Sequence, residues 1–414
     1  MLHIIRKLKN IYHLVEAFIA NIFYGFPARK LKIIGVTGTD GKTTTTHLIY
    51  HILKSAGKKV SMISTVYAKI GEKVFETGLH TTTPGSFSVQ KLLKLSTDHK
   101  DAFFVLETTS HALDQNRVWG IKFHIALVTN ITHEHLDYHI NYGNYLLAKA
   151  KLLNNSQIAL INRDDQSFSA LQHFLKSHQK KYYTYGLNKK SDFTYNFIKS
   201  GFNLTEFNYY NYLAAFSVCK LLKIDTNAII KEMKCFQLPK GRLNIIYDKD
   251  FMVIIDFANT PNAIDVVLKS IKDKYLKGNG RLIHVFGSAG LRDKSKRSLM
   301  GEASGQHSDI VILTEEDYRT ENPLKICEQI SLGLIKNDFK SNKLNLIEQK
   351  DKKIYSIIIN RVDAIKKAIS IAKKNDIVII TGKGHEKSLC RGRIEYPWDE
   401  DKTIMDALKT KQKL

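Results

Sequence analysis

Paired cysteine is the first thing this sequence lacks. Its four cysteines, at 219, 235, 327 and 390, form no CxxC pair and no metal-finger spacing. That excludes a disulfide framework or a zinc finger and leaves reduced thiols in a cytoplasmic protein. Long apolar runs are missing as well. The stretch from Ile11 to Phe26 is broken by His13, Glu16 and Asn21, too short and too polar to span a bilayer. No small-residue cleavage signature follows its basic start, which argues against a signal peptide. Its helical spacing predicts an amphipathic segment over residues 1–31, either docked on the protein or touching a membrane surface. Acidic residues are scarce, 40 against 63 lysines and arginines, for a net charge of +23. The excess is scattered lysine, without an arginine-rich block or an aromatic–basic repeat. A nucleic-acid partner is therefore not expected, and the charge reads as solvated surface plus anion-binding clefts. No internal repeat or low-complexity segment interrupts the chain. What is present, 414 residues with 43% hydrophobic and 25% charged content, suits a globular protein of two or three domains.

The most informative stretch is Ile33 to Leu48, IIGVTGTDGKTTTTHL. β-Branched residues lead into a glycine-rich turn, and a helical run follows. Glycines 35, 38 and 41 let successive N–H groups face a phosphate. Gly38, Thr39, Asp40, Gly41, Lys42, Thr43 and Thr44 form the candidate ATP loop. Lys42 supplies a charge, Thr43 a hydroxyl for Mg²⁺, and the helix an N-terminus facing the same anion. Val36 stands where the strict P-loop has its first glycine, so the loop is a variant.

Alternating strands and helices predict an α/β fold with a doubly wound, mostly parallel sheet. Candidate strands are 32–36, 59–64, 102–107, 124–129, 158–162 and 181–185, with helices such as 44–55, 87–95 and 210–222. After the polar turn LPKGR at 238–242 a second series begins, with strands at 252–256, 281–286, 309–313 and 376–381. The expected division is therefore an N-terminal segment 1–31, a central ATP-binding domain 32–237 and a Rossmann-like C-terminal domain 238–414. Glu107 closes the apolar strand FFVLE, where a carboxylate can hold Mg²⁺. The cluster TNITHEHLDYH holds His133, His135 and His139, but neither cysteines nor an HExxH order support zinc.

In order along the chain stand GTDGKTT, TTTP at 81–84, ETTSHALDQNR at 107–117, TNITHEHLDYH at 129–139, YLLAKAKLL at 145–153, NYYNYLAA at 208–215, PKGR at 239–242, DFANTPNA at 256–263, FGSAGLRDKSKR at 286–297 and ITGKGHE at 380–386. This set resembles the Mur ligases over roughly residues 32–400, and within them the members that add the third residue of the peptidoglycan stem peptide. The resemblance implies an ADP-forming, ATP-dependent ligation of a carboxylate to an amine through an acyl phosphate, in a site that neutralises phosphate charge and excludes water. It implies catalytic roles for Lys42, Glu107, His135 and Lys149. Thr43, Glu107, His135 and Lys149 would serve two Mg²⁺ ions, Lys149 as a carbamate. Asn211, Arg242 and Asp256 would meet the nucleotide, and Thr82, Thr83, Ser110, Gln115 and Arg117 the muramoyl-peptide.

For the amine substrate the resemblance implies Arg292, Asp317, Arg319, Gly382 and Glu386. The family's DNPR motif reads Glu316-Asp317-Tyr318-Arg319 here. Arg319 keeps the planar fork suited to a carboxylate, which favours meso-diaminopimelate over L-lysine. Three departures stand out. The usual N-terminal uridine-binding domain has no counterpart, the stretch 185–207 is short, and Asn259 replaces a histidine. The expected acceptor is of the UDP-N-acetylmuramoyl-L-Ala-D-Glu type. The alternative is a Mur-like amide ligase acting on a different acidic peptide or a lipid-linked acceptor.

Overall fold

The computed structural model describes residues 2–78, 82–132, 134–187, 190–194, 201–342 and 352–412, with side chains from residue 9 to residue 411. Thr81 and His133 of the motifs above lie outside the described residues. By contacts the chain divides into two units. The first comprises residues up to Thr132 and His139–Pro239, the second Lys240 onward together with the short segment 134–138. The break after Pro239 falls two residues beyond the position expected from sequence, and the N-terminal helix belongs to the first unit rather than standing apart.

In chain order the first unit contains α1 (Leu2–Phe23), a 3-10 turn at Pro27–Lys30, β1 (Lys32–Thr37), α2 (Lys42–Ser55), β2 (Val60–Ile63), β3 (Ala68–Ile70), β4 (Lys73–Phe75) and α3 (Ser86–Asp98). Then come β5 (Phe103–Glu107), α4 (Ser110–Asp114), β6 (Phe123–Val128), α5 (Leu136–His139), which straddles the two units, and α6 (Tyr142–Asn154). β7 (Ser156–Asn162), α7 (Phe168–Ser177), β8 (Tyr182–Tyr185), α8 (Glu206–Leu221) and α9 (Thr226–Cys235) complete it.

The sheet order is β4-β3-β2-β5-β1-β6-β7-β8. From β2 to β8 every pairing is parallel. Alternate residues of these strands feed two cores. Ile33, Phe104 and Leu106 pack on one face with α3, α6 and α7, while Ile34, Val36 and Val105 pack on the other with α2, α8 and α9. Burial on both faces explains the nearly unbroken apolar strands. The sequence reading found β2 but missed β3 and β4, which extend it as an antiparallel edge and whose three residues each carry too little alternation to detect.

The second unit runs β9 (Asn244–Asp248), β10 (Met252–Ile255), α10 (Pro261–Tyr275), β11 (Leu282–Phe286), α11 (Lys296–His307), β12 (Ile310–Leu313), α12 (Pro323–Ile335), β13 (Lys340–Ser341) and β14 (Ile354–Ile357). It ends with α13 (Arg361–Ile371), β15 (Ile377–Ile380), the hairpin β16 (Ser388–Arg391) and β17 (Ile394–Pro397), and α14 (Glu400–Gln412). Its sheet, β13-β14-β12-β11-β15-β10-β9, is parallel except at β9. Thr260, Asn322 and Asn360 cap α10, α12 and α13 through side-chain oxygens, which fixes where each strand-to-helix loop ends.

Candidate active site

The loop between β1 and α2 is built as expected, with one correction. Gly35 lies within β1, paired with Leu106 and Ala126, so it contributes no turn. A Cβ there would fall 2.7 Å from the Phe123 ring, and its role is strand packing. Gly38 and Gly41 shape the turn. At Gly38 a Cβ would meet Thr129 Oγ1 at 1.8 Å. Gly41 has φ +79°, and a Cβ there would meet Asn211 Oδ1 at 2.1 Å, a conformation and a proximity that only glycine satisfies. Gly41, the N-cap of α2, makes no side-chain cap bond to the first turn, and the first N–H groups of a helix are suited to an anion in the turn before it.

Neighbouring segments hold this loop in place. The N–H groups of Thr39 and Asp40 donate to the Asn130 backbone and side-chain oxygens, 2.8 and 2.9 Å away. Thr129 Oγ1 donates to the Asp40 carbonyl at 2.7 Å, and Thr39 Oγ1 lies 3.0 Å from the Tyr145 hydroxyl. Lys42 Nζ donates to the Gly38 and Thr39 carbonyls at 3.0 and 2.6 Å. Buried Thr44 continues the first turn of α2. Asn211, on α8, packs against Gly41; its Nδ2 donates to Asn208 Oδ1 at 3.1 Å and its Oδ1 accepts from Thr45 Oγ1 at 3.4 Å.

Glu107 ends β5 fully buried. Thr43 Oγ1 donates to its Oε1 at 2.9 Å and the Thr65 N–H to its Oε2 at 2.8 Å. Thr65 Oγ1 lies 2.8 Å from the same Oε1 and 3.1 Å from Thr82 Oγ1. Thr83 Oγ1 donates to the Glu107 carbonyl at 3.1 Å, and the Thr83 carbonyl accepts from Arg117 at 3.0 Å. Arg117 Nε also donates to Gln115 at 2.9 Å, and Ser110 Oγ lies 3.0 Å from His139 Nε2. Lys149, buried on α6, donates to the Gly38 carbonyl at 2.5 Å and stands 4.5 Å from the centre of the Tyr145 ring. The first unit therefore gathers Lys42, Thr43, Glu107 and Lys149 around one loop. His135 sits at φ +56° beside Glu134, on the segment that groups with the second unit. Sequence reasoning missed Thr65, which lies outside every motif, and gave no role to Thr129 and Asn130 although they open TNITHEHLDYH, because their service to the loop rests on contacts with Asp40, far away in sequence. Amide donors, an ammonium, a hydroxyl and a carboxylate together fit a nucleotide phosphate with a hard divalent cation. Among the described residues no group of three or more His, Cys, Asp and Glu side chains forms a metal cluster.

In the second unit Asp256 is buried, its two oxygens accepting from the Leu243 and Ala258 N–H groups at 2.8 Å each. Burial pushes its carboxyl above the usual range, and the Arg242 charge opposes the shift. Arg242 stands over the Phe257 ring at 4.6 Å. Gly382 follows β15, and four residues later Glu386 pairs with the fully buried Lys383, which also donates to Asp317 Oδ1 at 2.8 Å. Burial works against the Lys383 charge, but Glu386 and Asp317 outweigh it and raise the ammonium above its ordinary value. Asp317 also accepts from the Cys390 N–H at 2.9 Å. Arg319, at φ +51°, donates to the Gly290 carbonyl at 2.6 Å. Arg292 is exposed on the loop after β11. Glu316 is buried, and desolvation followed by the neighbouring Asp317 charge raises its carboxyl. Lys383 went unsingled in the sequence although it lies inside ITGKGHE, because its acidic partner Asp317 is 66 residues away.

Two family models match the chain, the Mur ligase middle domain over residues 36–224 and the Mur ligase glutamate ligase domain over residues 241–384. A UDP-N-acetylmuramoyl-L-alanyl-D-glutamate--2,6-diaminopimelate ligase of Aquifex aeolicus is 38% identical over 408 residues, which are 94% of this chain and 80% of that protein. A UDP-N-acetylmuramyl-tripeptide synthetase of Borreliella burgdorferi is 35% identical over 423 residues, 95% of this chain and 80% of the relative. A solved UDP-N-acetylmuramoyl-L-alanyl-D-glutamate--2,6-diaminopimelate ligase superposes with a TM-score of 0.59 at 28% identity, covering 92% of this chain and 79% of that one. E. coli FolC in complex with ADP shares the fold, with a TM-score of 0.68 at 16% identity over 97% and 95% of the two chains. With both domain models matched in order and relatives of this identity along nearly its whole length, the chain belongs to the Mur ligase family.

Proposed function

We propose that this chain joins meso-diaminopimelate to the D-glutamyl carboxylate of a UDP-N-acetylmuramoyl-L-Ala-D-Glu acceptor, consuming ATP, as a step of peptidoglycan precursor synthesis. The observation that carries the reading is the β1–α2 loop, with Lys42 folded onto its carbonyls and Thr43 hydrogen-bonded to a buried Glu107. The relatives' names supply the substrates, since those at 38% and 36% identity are 2,6-diaminopimelate ligases.

In this reading the acceptor carboxylate takes the γ-phosphoryl group of ATP, and ADP leaves. The amine nitrogen then attacks the activated carbonyl carbon. The C–O bond to phosphate breaks, and the amine gives up its proton. Lys42 and the first N–H groups of α2 hold the phosphates and carry the charge that spreads over their oxygens. Thr43 and Glu107, with His135 and a carbamylated Lys149, would hold Mg²⁺, which neutralises phosphate oxygens when bound. Carbamylation would turn the Lys149 amine into a carboxylate-type oxygen donor. Thr82, Thr83, Ser110, Gln115 and Arg117 would position the acceptor peptide. Asn211, Arg242 and Asp256 would serve the nucleotide. Arg292, Asp317, Arg319, Gly382 and Glu386 would receive the amine substrate, with Arg319 favouring the distal carboxylate that L-lysine lacks.

The test is phosphate release from ATP with Mg²⁺ and UDP-N-acetylmuramoyl-L-Ala-D-Glu, comparing meso-diaminopimelate, L-lysine and no amine. Release that depends on meso-diaminopimelate, with a tripeptide product by mass, is the expected result. Turnover with L-lysine alone would overturn the amine assignment, and no turnover with either would overturn the acceptor.

A further inference from the structure

Helix α1 carries two opposed apolar faces, and only one is covered. Ala17, Ala20 and Asn21 are fully buried. Asn21 Nδ2 donates to the Ala17 and Trp119 carbonyls at 2.8 and 2.9 Å, and Asn10 donates to Asp114 at 3.2 Å. These contacts fix the helix against the first unit, so it cannot roll to bury its other side. On that side Ile11, Val15, Phe18, Ile19, Ile22 and Phe23 are between 47% and 72% exposed. At 100° per residue they fill a sector of roughly 140°. The apolar surface continues beyond the helix, because the Phe18 ring meets Trp119 at 5.6 Å and the Phe23 ring meets Phe87 at 6.3 Å, and Trp119 and Phe87 are themselves exposed.

We propose that this face rests on an anionic lipid surface. Its chemistry has both required parts, an apolar stripe edged with large aromatic rings and a basic surround. Residues 1–32 hold six lysines and arginines and a single acid, Glu16, within a chain of net charge +23. Lys9, Arg29 and Lys30 are exposed. Lipid headgroups of negative charge complement that set. A second copy of the chain on the same face would instead bring two basic segments together, which like charges oppose. No described helix is long and apolar enough to cross a membrane, so α1 lies along the surface with its docked face turned to the protein.

The test is sedimentation of the full chain with vesicles of phosphatidylcholine alone and of phosphatidylcholine mixed with phosphatidylglycerol, at low and high salt. Binding to the anionic vesicles about tenfold or more above the neutral ones, weakened by salt, is expected. Ile19→Glu with Phe23→Glu should reduce that binding about tenfold while leaving the circular-dichroism melt intact. Lys9→Glu with Lys30→Glu changes charge alone and should lower only the anionic preference. No binding to anionic vesicles, or binding unchanged in the apolar variant, would overturn the proposal. So would a concentration-dependent dimer in sedimentation velocity that the apolar variant abolishes, which would assign the face to a second copy.

Discussion

Glu107 in the first unit and Asp317 in the second are both buried carboxylates beyond or at the C-terminal end of a parallel strand, yet they are held in different ways. Glu107 accepts from the neutral hydroxyls and amide of Thr43 and Thr65. Asp317 is paired with the buried ammonium of Lys383, which Glu386 shares. The same contrast runs through the surroundings. Backbone amides, glycines and threonines build the loop at β1–α2, whereas ion pairs fill the second unit, Arg361 with Glu400 at 2.7 Å and Arg391 with Glu315 among them. A carboxylate held by hydroxyls and an amide suits a site where a hard cation is to arrive. One already neutralised by a lysine fixes the positions of the groups around it, at a desolvation cost that only complete pairing offsets.

The sharpest way to break this contrast is Lys42→Ala, which removes the cation that the proposed function assigns to the phosphates. Turnover should fall roughly a thousandfold, about 4 kcal/mol of transition-state stabilisation. Steady-state kinetics with a parallel measurement of ATP binding checks it, and retained turnover with lost ATP binding would contradict the role given to Lys42. On the other side, Lys383→Met removes the buried ammonium that Asp317 and Glu386 share. It should cost roughly 3–5 kcal/mol in urea unfolding and raise KM for the amine more than KM for ATP. Adding Asp317→Asn to that variant should recover part of the loss, and a double variant no better than the single one would mean the pair is not coupled.

His284 tests the second unit through pH. It is fully buried between Ser304 and Thr381 hydroxyls, 2.8 and 2.9 Å away, and burial followed by the nearby Arg361 charge lowers its imidazolium to about 3. The unfolded chain therefore binds this proton below about pH 6.5 while the folded one does not. Its contribution is complete above that pH and is lost as pH falls toward about 3. Between about pH 6.5 and 4.5 the loss should reach roughly 2–3 kcal/mol. Urea melts across that range should show the slope, and His284→Gln should flatten it. The smallest effect expected is at Gly41, where alanine adds a side chain at φ +79° against Asn211. The cost should be roughly 1–3 kcal/mol, with weaker nucleotide binding by calorimetry and little change in the second unit's amide exchange.

The strand, turn and helix of the loop were legible because their pattern lies in consecutive residues. Gly38, Gly41, Lys42 and Thr43 announce a phosphate by spacing, and Glu107 by its place at the end of an apolar strand. Thr65 and Asn130 could not be read, because their value comes from standing 42 residues before Glu107 and 90 after Asp40 in sequence but within hydrogen-bond reach in space. Gly35 was misassigned to the turn for the converse reason. A glycine says that a side chain is absent, and only the neighbouring Phe123 ring says why.

By itself the sequence determined the α/β class, the parallel strands, the ordered Mur ligase motifs and the cationic balance, since each is a matter of local pattern or composition. Only the tertiary structure decided that β2 turns back into an antiparallel edge, that Lys383 is neutralised by two acids, and that α1 docks one face and leaves the other exposed. Those outcomes depend on which distant groups share a buried space. Desolvation and packing set them, and neither has a signature within a short window of residues.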